Sequence, residues 1–186
     1  MIMVKFTKMA IINGFLEILK KKSLDKITVK DICELCEINR NTFYYYFEDI
    51  YDVLNAVFAA EKEKVMGSMD ENMTFLEEYK RRAQIILNNR DTIIHIYQSK
   101  QRAILENYLE TVVKDFVEKF VDKAAEGHGL TEEDVNYITC FYSYSIIGNM
   151  MRWIEKGMPP YKEDLISRMS KSFEVTINDL IRNFEE

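Results

Sequence analysis

Between Asn39 and Phe47 the sequence NRNTFYYYF gathers Arg40, Asn41, Thr42, Tyr44 and Tyr45, hydrogen-bond donors and aromatic rings with no acid among them. A guanidinium fork pairs with O6 and N7 of guanine, and an amide pairs with N6 and N7 of adenine. Hydroxyls of Thr and Tyr donate to phosphate oxygens, which fixes register without reading sequence. On a helix Phe43 and Phe47, at i and i+4, share the inward face and leave the other five outward. Such a face is either an ordinary solvated surface or one built for a DNA groove. The elements before it decide between the two.

Asn39 is a helix N-cap residue type, and upstream of it TVKDICEL reads as another short helix. Thr28 caps that helix, and Asp31 three residues on completes a capping-box pattern. Val29, Ile32, Cys33 and Cys36 recur at helical spacing and give it one apolar face. A tight turn around Glu37 joins the two, so residues 28–47 read as a helix-turn-helix whose second helix enters the major groove. Arg40 and Asn41, at the start of that helix, are then placed for base edges. Tyr45 suits a base or a phosphate, and Tyr46 reads as packing. Thr28 and Lys30 suit a phosphate approached by the free N–H groups of a helix start. A longer helix precedes the pair, about Lys5 to Lys20, burying Ile11, Phe15, Ile18 and Leu19, with Lys20, Lys21 and Lys22 at its negative dipole end.

Charge supports this polarity. Of the 25 Lys/Arg and 31 Asp/Glu, residues 1–47 hold 8 and 5, a net of +3, and the remainder hold 17 and 26, a net of −9. A mildly basic head on an acidic body touches phosphate at one end only, unlike a coating protein that is basic throughout. The 3 cysteines and the short opening MIMVKF, with no signal-like apolar run, point to a reducing cytoplasm. Cys33 and Cys36 form a C-x-x-C with no second ligand pair at suitable spacing, so they read as small buried hydrophobes and no metal is expected. No cofactor is expected, and two histidines without a phosphate-binding glycine loop or an activated nucleophile argue against an enzyme.

With 6 glycines, 2 prolines and no sustained period-2 alternation, the whole chain reads as all-α, with about nine helices. Helices are expected from about Asp49 to Val65, Thr74 to Asn89, Thr92 to Gln98, Arg102 to Ala125, Thr131 onward, and Lys162 to Phe184. Breaks fall at Gly67–Asn72, at NNRD 88–91, at EGHG 126–129 and at Pro159–Pro160. From Tyr137 to Met151 there is no charged residue, and the helix there is apolar on nearly every side. Such a helix needs a core on one side and a partner on the other. Val135, Ile138, Tyr142, Ile146 and Trp153 form one flank, and Tyr137, Phe141, Tyr144, Gly148 and Met151 the other. Nothing in that run is long enough to span a bilayer.

The order of these signals resembles the TetR family of transcriptional regulators. An amphipathic helix, a Thr-capped helix, and a short helix ending TFYYYF at 42–47, with Asp49 opening the next, match that family's head over residues 8–60. Three positions depart from its pattern: Glu37 stands for the usual turn glycine, Ser23 for the glycine after the first helix, and Ile50 for a basic residue. The resemblance implies a three-helix helix-turn-helix DNA-binding domain over 1–48 and an effector-binding and dimerisation domain over 49–186. It implies that Thr42 and Tyr44 hold phosphate, and that a double-stranded operator of palindromic half-sites is bound by a homodimer. The bodies of its members pair two helices with their symmetry mates, which places Tyr137, Phe141, Tyr144, Gly148, Met151, Phe173 and Ile177 at the dimer interface. Its effector pocket would involve Tyr79, His95, Tyr97, Phe116 and Tyr142, although a His between Ile94 and Ile96 also reads as structural. The implied function is a ligand-responsive repressor. The alternative, which the wording ITVKDIC…INRNTFYYYF brings nearer, is an activator or adaptor controlled by a protein coactivator.

Overall fold

The computed structural model of the chain describes residues 2–67, 72–159 and 163–184. Among the described residues all regular structure is helical. The helices are α1 (Ile2–Leu19), α2 (Val29–Leu35), α3 (Arg40–Tyr46), α4 (Ile50–Gly67), α5 (Phe75–Asn88), α6 (Arg90–Tyr97), α7 (Arg102–Ala125), α8 (Glu132–Glu155) and α9 (Glu163–Phe184), with a 3-10 turn at Leu24–Lys26. They form two compact units, Met1–Lys64 with Asn89–Leu105, and Val65–Asn88 with Glu106–Glu186. The break expected at 67–72 lies mostly outside the described residues. Helix α6 begins two residues before the expected Thr92, because Ile93 N–H already bonds the Asn89 carbonyl.

The first unit is built on apolar side chains at helical spacing. Ile11, Phe15 and Leu19 of α1, Ile32 of α2, Phe43 of α3 and Val53 and Leu54 of α4 are all fully buried. Each such side chain contributes about 1.5–3 kcal/mol relative to exposure. Helices α1 and α2 approach closely at Gly14, where a Cβ would stand only 2.5 Å from Cys36 Sγ. The Cys36 thiol donates to the Ala10 carbonyl at 3.4 Å, and Cys33 is buried beside it.

In the second unit the core is aromatic. Phe75 stacks on Phe173 at 4.1 Å, and Phe116, Phe120, Tyr79 and Tyr142 close around them at centroid distances of 4.7–6.3 Å. Beside these rings lies a buried ionic group that the sequence did not announce. Glu78 accepts from Arg82 Nε at 2.6 Å and from Arg81 Nε at 2.6 Å, and Arg82 Nη1 donates to the Val112 carbonyl at 2.8 Å. Burial pushes the Glu78 carboxyl up, but the two guanidiniums outweigh it and hold it below the usual range. Helix α8 divides as its flanks suggest. Ile138, Tyr142, Ile146 and Trp153 are buried, whereas Tyr137, Phe141 and Tyr144 are 55–59% exposed. Among the described residues no helix is long and apolar enough to cross a membrane.

Candidate nucleic-acid interface

Two caps shape the helix-turn-helix. The Thr28 hydroxyl accepts from Asp31 N–H at 3.2 Å while Asp31 Oδ2 accepts from Thr28 N–H at 2.8 Å, so the box closes in both directions. Lys22 Nζ adds a third donor to that carboxylate at 2.8 Å. The Lys22 ammonium and the Thr28 hydroxyl and N–H together pull the Asp31 carboxyl down to about 2. Cys36 caps the end of α2, and Ile38 N–H reaches back to the Cys33 carbonyl at 3.0 Å. That closure puts Glu37 at φ 54°, in the left-handed region where a side chain is strained. The expected turn glycine is absent, and the turn keeps the conformation a glycine would take.

Asn39 Oδ1 then accepts from Thr42 N–H at 2.8 Å and from the Thr42 hydroxyl at 3.1 Å, which starts α3. Its direction is fixed by Phe43 and Phe47, whose rings lie 6.1 Å apart in the core, with Lys8 Nζ over Phe47. What remains outside is Arg40, Asn41, Tyr44 and Tyr45, all exposed, the two tyrosines at 56% and 74%. Among the described residues neither Arg40 nor Asn41 has an ion-pair or hydrogen-bond partner of its own side chain. Tyr44 is held edge-on to Phe43 at 5.5 Å, and Tyr45 edge-on to Tyr46 at 4.9 Å, which leaves both hydroxyls outward. Thr42 is half-buried with its hydroxyl committed to the cap, and Lys30 is exposed and only loosely paired with Glu34 at 3.6 Å. The eight residues named from the sequence therefore fall on one run of the unit, from Thr28 to Tyr45.

Residues 11–57 match the profile of the bacterial regulatory proteins of the tetR family, and residues 73–174 match that of a transcriptional regulator C-terminal region. The chain belongs to the TetR family. No curated protein matches it in sequence. Among solved structures it is similar to the dihydroxyacetone kinase operon activator DhaS, with a TM-score of 0.72 and 17% identity over 97% of this chain and 98% of that one. It is also similar to a TetR transcriptional regulator from Streptococcus agalactiae 2603V, with a TM-score of 0.63 and 21% identity over 91% and 94%. Salmonella enterica GusR follows at 0.56 and 14% identity over 95% of each chain. At these identities the likeness is one of fold. The chain is thus a TetR-family transcriptional regulator with a helix-turn-helix head.

The residues named for a pocket in this regulator divide between the two units. Tyr79, Phe116 and Tyr142 belong to the ring cluster of the second unit, where the Tyr79 hydroxyl meets Met169 Sδ at 3.4 Å and the Tyr142 hydroxyl meets Thr176 at 2.7 Å. His95 and Tyr97 lie on α6 in the first unit, His95 against the Leu19 carbonyl at 2.6 Å and Tyr97 under the Arg102 guanidinium at 5.1 Å. Of the residues named for dimerisation, Tyr137, Phe141, Tyr144 and Gly148 are exposed and Met151 is half-buried. Phe173 and Ile177 are buried inside the subunit, since α9 turns that side of its wide apolar stripe onto α5. Cys33 and Cys36 are free thiols pushed up by burial, and among the described residues no three ligating side chains converge to hold a metal.

Proposed function

We propose that the protein acts in the cytoplasm as a homodimer that binds a palindromic operator sequence-specifically, by binding alone and without catalysis. The outward face of α3 carries this reading: donors without internal partners, on a helix whose direction two buried rings and a cap fix. Two copies of α3 would occupy successive major grooves about 34–36 Å apart. Binding of a signal in the second unit would change that separation, with a coupling of about 1–3 kcal/mol between signal and operator. Equal α3 separations in the operator-bound and signal-bound forms would refute this mechanism. Selection of bound duplexes from a random pool tests the reading as a whole. An enriched palindrome is expected, and a pool that stays random overturns it.

For the signal itself, a ligand-responsive repressor needs an enclosed volume of about 300 Å³ or more around its effector. Of the rings named for that pocket, Tyr79 and Phe116 lie 6.3 Å apart, and Phe75 and Phe173 link them to Tyr142. The hollow next to them, among Val65, Arg82, Ile85, Ile86, Tyr108, Val112, Val113 and Met150, amounts to about 20 Å³, whereas a partly open groove of about 630 Å³ lies among Met66, Asn72, Lys119, Phe120, Asp122, Lys123 and Glu126. The filled ring cluster supports the second reading, an activator or adaptor governed by a protein partner on the outside of the unit, and the groove supports the first. A small molecule that raises the melting temperature of the isolated protein would restore the first.

A further inference from the structure

Helix α6 stands apart from its neighbours in the chain: Asn89–Leu105 packs with the head, whereas α5 up to Asn88 and α7 from Glu106 belong to the second unit. Polar contacts hold it there. His95 Nδ1 lies 2.6 Å from the carbonyl oxygen of Leu19, the last residue of α1. A carbonyl only accepts, so Nδ1 carries the hydrogen and the imidazole donates. The backbone N–H groups of Lys20 and Lys21 go to Leu16 and Ile18, so the imidazole serves an end-of-helix carbonyl that they leave open. Past the end of α6, Lys100 N–H is shared by both carboxylate oxygens of Asp25 at 3.3 Å. Leu19 ends α1, and Asp25 lies in the 3-10 turn of the segment that joins α1 to α2. Between them Lys22 ties the same segment to Asp31, the residue that closes the α2 cap.

Packing alone does not require a histidine at this place. Ile93 and Ile96 supply the buried apolar contacts of α6, and the His95 ring is only half-buried. What the imidazole adds is one donor aimed at one carbonyl. We propose that His95 is a positioning residue for operator recognition. Its bond to Leu19 fixes the α1–α2 connection, and through the Lys22–Asp31 tie and the α2 cap it fixes the angle at which α3 presents Arg40 and Asn41. The inference rests on the DNA-binding reading above. It gives His95 a role in the head, separate from any effector contact.

The full-length protein with His95→Asn, His95→Gln and His95→Ala tests it, by titration of the selected operator and of a scrambled duplex where circular dichroism shows each variant folded. Asn carries its amide nitrogen at the δ position, as Nδ1 does, and Gln carries it one bond further out. Asn is expected to keep operator affinity near wild type, while Gln and Ala lose roughly five- to tenfold. Affinity for the scrambled duplex, set by phosphate charge, should not change. Operator binding by His95→Ala at wild-type strength overturns the proposal, and so does an Asn variant as weak as Gln. If the Ala variant does not fold, Asn against Gln decides the same point, since both keep an amide and differ only in where it sits. A wild type that selects no operator at all would remove the DNA-binding reading itself, a failure visible before any variant is made.

Discussion

Arg40 and Asn41 owe their freedom to the residues around them. Asn39 satisfies the first turn of α3 with its own amide oxygen, so the next two side chains have no capping duty. Arg40→Ala should therefore weaken operator binding by about 1–3 kcal/mol and relax preference at one base position in each half-site. Tyr44→Phe removes an outward hydroxyl and leaves the ring against Phe43, so its loss should be even across operator variants. Competition among the operator and its single-base changes separates the two, and a uniform loss for Arg40→Ala would make it a backbone contact. The exposure of both was legible in the sequence because the cap and the two buried rings that turn them outward lie within eight residues of Asn39. His95 shows the opposite case. Its partner Leu19 is 76 residues away, and nothing near Ile94 and Ile96 hints at a carbonyl waiting there. Glu78 and Arg82 were hidden differently: an i,i+4 pair of opposite charge usually marks a solvated helix face, and here the face turns inward.

The helix boundaries follow from capping chemistry, and the α2 cap and the α2–α3 turn carry predictions of their own. The paired Asp31 carboxyl sits near 2 against its ordinary 3.8. A depressed folded value means a contribution fully present above about 3.8 and lost as pH falls toward 2. The side chain is a third exposed, so solvent screening limits this to about 1 kcal/mol or less. Asp31→Asn should cost about that much at pH 7 in urea unfolding, and the gap to wild type should narrow as pH drops through the acid range. A gap that stays constant would mean that the carboxylate charge is not what holds the cap. The turn offers the reverse sign. A left-handed non-glycine residue costs about 1–2 kcal/mol, and glycine gives back part of that in unfolded-state entropy. Glu37→Gly should accordingly stabilise the protein by about 0.5–1 kcal/mol, read as a higher melting temperature. The sequence marked this position only by the missing glycine, and the strain appears once φ is known. The apolar residues of α9 span a wide face, and only the structure aims them: Phe173 and Ile177 point into the subunit, while Val175 between them is exposed.

At the scale of the whole molecule, net charges of +3 over residues 1–47 and −9 over the rest leave one end of each chain suited to phosphate. In the proposed homodimer each head reads a half-site, so specific binding would depend on a second copy. The outer flank of α8 is the face we propose for that copy. Tyr137, Phe141 and Tyr144 are each more than half exposed on one subunit, an apolar patch that a monomer would leave in water. A two-fold partner would cover it, because the same patch on each chain would meet itself. Gly148 lies on that flank with nothing within 4 Å of where its Cβ would be, so a side chain there enters open space in the single subunit. Replacing a mid-helix glycine also raises helix propensity by about 1 kcal/mol, so the subunit itself loses nothing. Between two subunits the same Leu would overpack the seam, at about 1–3 kcal/mol per copy. Gly148→Leu is therefore expected to give a monomer in sedimentation, with the helical circular dichroism of the wild type and no specific operator binding. A variant that stays dimeric and binds normally would move the interface off this flank of α8. A wild type that remains monomeric at tens of micromolar would overturn the two-half-site mechanism as well.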